Sequence, residues 1–267
     1  MNKLWGYDLA TCWSVFKVML RVDLEQARGT VVSKIIDRFV WVASFMLISA
    51  YLLPSFGMSA DFGKFMLVGM IASLGIVEVY SVIALMIADL DGDKVITYFL
   101  TLPIPPALVF IRMLVYYGLY FTFLSVLLFP VCNLLLPESI AYSTIHWPKC
   151  ILMLFLSNFL YAAIILWAAS FVRDMRMLSQ VWSRLLHPLW FLGGFQFKWA
   201  ALYQKSAALG YLALCNPIIH ITEGMRGAVF GAAGYLPYWL TATTLMVFIV
   251  CMTTHAIIRL KKRLDLV

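Results

Sequence analysis

CILMLFLSNFLYAAIILWAASFV, from Cys150 to Val172, runs for 23 residues without a charge. A helix of about 20 apolar residues spans the hydrocarbon core of a bilayer, and this stretch has that length with nothing inside it to break it. It does not stand alone. Residues 39–60 are also uncharged, 65–88 contain only Glu78, 107–136 contain only Arg112, and 227–258 contain no charge, with a final span starting near Pro237. Residues 185–197 and 206–222 are apolar but short, and the second contains Asn216-Pro217.

Composition agrees with this reading. The chain is 63% hydrophobic and 12% charged, against roughly 25% charged in soluble domains. That excludes a disordered chain, a disulfide-rich secreted module and an ordinary soluble enzyme. The length of 267 residues accommodates about six spans with short loops and no sizeable soluble domain. The expected architecture is therefore an all-α integral membrane protein. It has a cytoplasmic N-terminal segment (1–38), a six-span domain (39–258) and a basic cytoplasmic tail (259–267).

The net charge of +7 reads as topology, not as affinity for nucleic acid. With the N-terminus inside, 15 of the 20 Lys and Arg fall on inner segments, as the positive-inside rule requires. Both termini and residues 89–106 are then cytoplasmic, while 137–148 and 198–226 face outward. The expected location is the cytoplasmic (inner) membrane of a bacterium. Nothing in 1–38 resembles the apolar core of a cleavable leader. Trp13, Phe16, Leu20 and Leu24 recur at three- and four-residue steps, the mark of an amphipathic helix in the inner interface. No internal repeat is visible. The five cysteines lack metal-site spacing and read as buried apolar residues, although Cys132 and Cys150 flank the outer loop and a disulfide there is conceivable.

Catalytic chemistry has no visible residues. No G-x-x-x-x-G-K-[ST], G-x-S-x-G or H-E-x-x-H occurs. His220 and Glu223 stand i, i+3, but two ligands fall short of a metal site. Glu78 is the one ionisable group deep in the second span, where a charge costs ~2.5–3.5 kcal/mol on insertion scales. It reads either as a cavity-lining or gating carboxylate or as a structural hydrogen-bond partner. The break Asp89-Leu-Asp-Gly-Asp-Lys94 leads into a short apolar run, 95–102, that ends at Pro103-Ile-Pro-Pro106. This predicts a short helix lying along the inner face, a handle for a cytosolic partner. Asn216-Pro217 starts a helix well. On it Glu223 and Arg226 stand i, i+3 and can neutralise each other, as an outer gate or as a structural ion pair.

Together these constellations resemble the type-2 ABC exporter permeases over nearly the whole chain. The shared features are the amphipathic N-terminal helix, six spans, Thr101-Leu-Pro-Ile104 after the polar break, and Asn216-Pro217 with Glu223 and Arg226 before the last span. The resemblance implies an ATPase-coupling element at Asp91, Gly92, Asp93, Lys94, Tyr98, Leu102 and Pro103. It also implies a re-entrant outer hairpin, 206–227, and a translocation or gating set of Glu78, Asn216, Pro217, His220, Glu223 and Arg226. It further implies a second permease copy, identical or similar, and two cytosolic ABC ATPase subunits that use ATP and Mg, with no cofactor on this chain. His220 and Leu-Trp-Phe-Leu-Gly-Gly at 189–194 are more like the polysaccharide and capsule exporters than the lipid or drug exporters. An ion-coupled carrier and an intramembrane enzyme are the remaining alternatives.

Overall fold

Helix α8, Trp147–Ala169, is the axis of the molecule, and 15 of its 23 residues are buried. A helix that is apolar all round belongs in the middle, and α8 packs on α6 (Pro106–Val126), α14 (Tyr238–Arg263), α13 (Pro217–Phe230) and α4 (Ile76–Asp91). Gly118 of α6 admits the Phe159 ring, and Gly75, just before α4, admits Tyr161. A Cβ at either position would fall 2.6 and 2.4 Å from those rings. Such contacts need glycine because the core is packed to crystal-like density.

The computed structural model describes residues 3–4, 7–92, 94–135, 143 and 145–264. A two-residue antiparallel pair, Lys3–Leu4 with Tyr7–Asp8, precedes α1, Leu9–Met46. Asp8 caps α1, its carboxylate accepting from Thr11 N. A π turn, Leu47–Leu52, and α2, Leu53–Ser55, extend α1. The interfacial segment and the first predicted span are thus one helix, with no break at residue 38. The chain returns through α3, Ala60–Ser73, and α4, with a turn at Leu74-Gly75. The short α5, Val95–Leu100, leads to α6 and α7, Leu128–Leu135.

Beyond α8, Asp174 caps α9, Met175–Val181. A π turn, Trp182–Leu186, joins it to α10, His187–Phe191. Arg184 lies inside this helical run. Tyr80 meets Trp182 and Ser73 accepts from Trp190 Nε1, so this run climbs antiparallel to α4 and α3. Helices α11, Trp199–Lys205, and α12, Ala207–Leu214, precede α13 and α14. The basic residues 259–263 are the last turns of α14, not a separate tail.

Among the described residues, four helical stretches are long and apolar enough to cross a membrane: Asp61–Leu90, Pro106–Cys132, Trp147–Ala169 and Tyr238–Arg263. Apart from the N-terminal pair the described fold is all-α. The second and fourth stretches expose much of their surface, as rim helices facing lipid do. Phe129 meets Trp147 and Arg263 Nη1 donates to Ala169 O, so α6 opposes α8 while α14 parallels it. The starts of α1 and α6 and the ends of α4, α8 and α14 thus share one end of the bundle. The predicted outer loop over 137–148 lies mostly outside the described residues. Cys132 and Cys150 are both buried and free, so the conceivable disulfide is not formed.

Helix α1 carries two stripes. Cys12, Met19, Asp23 and Ala27 face the protein. Trp13 and Leu24, from the predicted amphipathic stripe, face outward, as an interfacial helix packed on one side requires.

Candidate functional site

The charges that matter most lie where α1, α4 and α6 meet. Lys34 Nζ of α1 donates to Glu78 Oε2 of α4 at 2.8 Å. Asp23 of α1 lies 3.4 Å from Arg112 Nε of α6. Arg38 Nη1 donates to Ser125 Oγ, which Asn158 Nδ2 of α8 also reaches. Arg112 is 5% exposed and Arg38 3%. Arg112 Nη1 and Arg38 Nε and Nη2 have no hydrogen-bond partner among the described residues. Buried guanidinium groups normally satisfy every donor, so this seam holds spare donor capacity.

The two ion pairs line a cavity of about 490 Å³ that is partly open to the outside. Tyr116, Tyr117 and Tyr120 form its aromatic wall, and Asp89 stands at its inner edge. Burial pushes the Asp23 carboxyl up to about 6, against the opposing pull of Arg112. The volume lies in the range of small-molecule sites. The lining of donors, acceptors and rings suits an amphiphile with a polar head.

Helix α5 seals the inner edge of this cavity. Both Asp89 carboxylate oxygens accept from its first turn, Oδ1 from Val95 N and Oδ2 from Ile96 N, each at 2.9 Å. Lys94 turns the chain at a φ of 55°. The Arg112 guanidinium stacks 4.3 Å from the Phe99 ring. Ile96 and Ile104 are buried, whereas Tyr98 is 65% exposed. The expected short helix is therefore present, over Val95–Leu100. Gly92 and Pro103 are exposed and Leu102 is half-buried, packed beside Ile104 and Val109. Asp91 ends α4, and Asp93 lies outside the described residues.

The second predicted set sits elsewhere, in and around α13, and 12 of that helix's 14 residues are buried. Asn216 Oδ1 accepts from Ile218 N and its Nδ2 donates to Leu189 O, bolting the start of α13, with Pro217 in its first turn, to α10. His220 Nε2 lies 2.9 Å from Leu214 O. Glu223 and Arg226, both 0% exposed, form no ion pair with each other within 4 Å. Glu223 Oε1 accepts from Trp199 N and Oε2 from Leu236 N. Arg226 donates to Phe65 O, Gly194 O, Phe195 O and Phe197 O, and lies 3.5 Å from the Phe65 ring. The expected pairing is not a direct contact: each group is stapled to backbone of its own, while the two opposite charges still act on each other at longer range.

Glu78 thus lines the cavity with Asp89, Val95, Ile96 and Phe99, whereas none of the described residues of the predicted coupling set lines it, and Asn216 through Arg226 form a different, occupied cluster. Among the described residues no group of three His, Cys, Asp or Glu could hold a metal. Sequence reasoning missed Asp23 and counted Lys34, Arg38 and Arg112 only as topology marks. A signal existed: Asp23, Ala27, Lys34 and Arg38 recur at four- and seven-residue steps on one helical stripe. No family model, curated protein or solved structure matches this chain.

Proposed function

We propose that this chain is the transmembrane permease subunit of an ABC-type exporter. It moves a lipid-linked or amphipathic substrate, a polysaccharide or glycolipid, outward, and a separate cytosolic ATPase supplies the energy. Six passages account for the architecture. They are α1, the four apolar stretches, and the broken α9–α10 run, with α12–α13 as a re-entrant outer hairpin. Two copies, or two similar chains, meet two ATPase subunits at the inner face of a bacterial cytoplasmic membrane, with both termini inside.

The observation that carries this reading is α5. It presents Tyr98 to the outside while Phe99 carries Arg112, and Arg112 is tied to Asp23 of α1. A push on α5 is thereby transmitted to two long helices. Purification from native membranes should retain an ABC ATPase. In reconstituted vesicles Leu102→Asp should lower substrate-stimulated ATP hydrolysis and export about tenfold or more while the protein still inserts. Unchanged rates in that variant would refute the coupling role.

The charged seam favours one second reading, an ion-coupled carrier, because intramembrane ion pairs often mark ion paths. In that case export would collapse with a protonophore and be indifferent to ATP.

A further inference from the structure

The cavity between α1, α4 and α6 carries both signs of charge, and at one place they fail to satisfy each other. Asp23 and Arg112 approach to 3.4 Å. Yet Asp23 Oδ2, Arg112 Nε and Arg112 Nη1 make no hydrogen bond among the described residues. Tyr120 Oη, on the aromatic wall, is also without one. Arg112 is 5% exposed and Asp23 8%. The other charges on the lining are taken: Lys34 and Glu78 hold each other, and Asp89 binds the first turn of α5.

Buried polar atoms almost always have a hydrogen-bond partner. An acceptor and two donors left open side by side therefore mark a place for a molecule that brings a donor and an acceptor of its own. The volume of about 490 Å³ equals roughly sixteen waters at ~30 Å³ each, far more than a single ion fills. Exposed lining residues include Gln26 and Thr30 of α1 and Leu85 and Ala88 of α4, so the mouth lies between these two helices. Leu85, 66% exposed, belongs to a stretch long and apolar enough to cross a membrane. It stands six residues before α4 ends at Asp91, about 9 Å along the axis. The mouth thus opens sideways beside hydrocarbon, close to the headgroup layer.

The open groups select the class of ligand. Asp23 calls for a cationic N–H donor and Arg112 for an oxyanion. The two stand 3.4 Å apart, so the complementary groups must be a short link apart. The rings of Tyr116 and Tyr120 stack at 5.8 Å, and Tyr117 lies 4.9 Å from Tyr116. Such ring faces attract a cation. A ligand of one sign would draw one partner off the other and leave a charge buried alone, which is costly. A zwitterion replaces both at once.

We propose that this cavity binds the phosphoethanolamine headgroup of a bilayer phospholipid. The phosphate sits on Arg112, the primary ammonium on Asp23 before the tyrosine wall, and the acyl chains leave past Leu85. The site needs only a membrane around the chain. Neither an ATPase nor export enters it, so it stands or falls apart from the export reading.

The test uses the full-length protein in a neutral detergent, titrated with phosphatidylethanolamine, phosphatidylcholine or phosphatidylglycerol while thermal unfolding is followed. Phosphatidylethanolamine should raise the midpoint saturably. Phosphatidylcholine, whose ammonium has no N–H, and phosphatidylglycerol, which has no cation, should each bind about tenfold more weakly, the loss of one charge-assisted hydrogen bond. Asp23→Asn should weaken phosphatidylethanolamine about tenfold and leave phosphatidylglycerol no weaker, so the preference disappears. Arg112→Lys should weaken both. Equal binding of phosphatidylcholine overturns the proposal, since rings or tails alone would then suffice. Equal binding of phosphatidylglycerol overturns it in favour of a plain phosphate site. No saturable shift with any lipid overturns it in favour of water in the cavity. An unchanged preference in Asp23→Asn also overturns it. Should that variant be misfolded by size exclusion, Tyr116→Leu carries the same expectation at roughly threefold, and an unchanged preference there counts equally against the site.

Discussion

Replacing Arg226 and Glu223 separately and together distinguishes two staples from one ion pair. Arg226→Ala removes four hydrogen bonds, at 2.6, 2.6, 3.2 and 3.4 Å, and leaves the non-helical carbonyls of Gly194, Phe195 and Phe197 without this donor. Hydrogen bonds to charged groups contribute ~1.5–3 kcal/mol each, so the loss is about 5 kcal/mol or more. That is comparable to the whole stability of many folded chains, ~5–15 kcal/mol. At ~2–4 °C per kcal/mol, the midpoint should fall by at least ~10 °C. Glu223→Ala strips the acceptors from Trp199 N and Leu236 N and should cost ~2–6 kcal/mol, at ~1–3 kcal/mol per orphaned group. A mutually neutralising pair would let the double variant recover, since no lone charge remains. Two staples with separate partners predict the opposite, a double variant no more stable than Arg226→Ala. Thermal unfolding in detergent, with size exclusion to measure the folded fraction, reads this directly. Recovery of the double variant to within a few degrees of wild type would refute the assignment.

Lys34→Met removes the direct partner of buried Glu78 and leaves it only the charge of Arg38. It should therefore cost less than the ~3–5 kcal/mol of a fully uncompensated buried charge, and Lys34→Met with Glu78→Leu should regain most of the loss, as measured by denaturation in detergent. Gly75→Ala places a Cβ 2.4 Å from the Tyr161 ring, which is fully buried. Overpacking of ~1–3 kcal/mol should follow, and Gly29→Ala, which meets nothing within 4 Å, should be harmless by the same assay. The Asp23 carboxyl is raised from 3.8 to about 6, so the native state binds more protons than the unfolded state between those values. The carboxylate therefore destabilises the fold above pH 6, and that penalty is relieved as pH falls toward 4. Asp23→Asn should remove this part of the pH dependence, seen by comparing unfolding midpoints at pH 5 and pH 7.

The long apolar helices were legible in the sequence because length and lack of charge are properties of a segment by itself. So was α5, bounded by Asp89 and by Pro103, each acting on its own neighbourhood. What failed were readings that depended on partners. Glu78 looked solitary because Lys34 lies 44 positions away in a segment assigned to the cytoplasm. Asp23 and Arg112 are further apart still. Glu223 and Arg226 looked paired because spacing reveals who is near on the same helix and not which carbonyl of α3 approaches from 161 positions away. Nor did the short run 185–197 reveal that a π turn would join it to Met175–Val181 in a single ascent.

The burial of α13 bears on the order in which the chain is assembled. At 14 residues the helix is roughly 21 Å long, too short for the hydrocarbon core, and it carries a carboxylate and a guanidinium that lipid would reject. Insertion machinery sampling it alone would not pass it sideways into the bilayer. Its walls are α3, α8 and α14, and α14 leaves the ribosome after it. Helix α13 can therefore not take its buried place until α14 closes its socket. Its seating follows the emergence of α14, and only then do the segments that Glu223 and Arg226 hold acquire their shape.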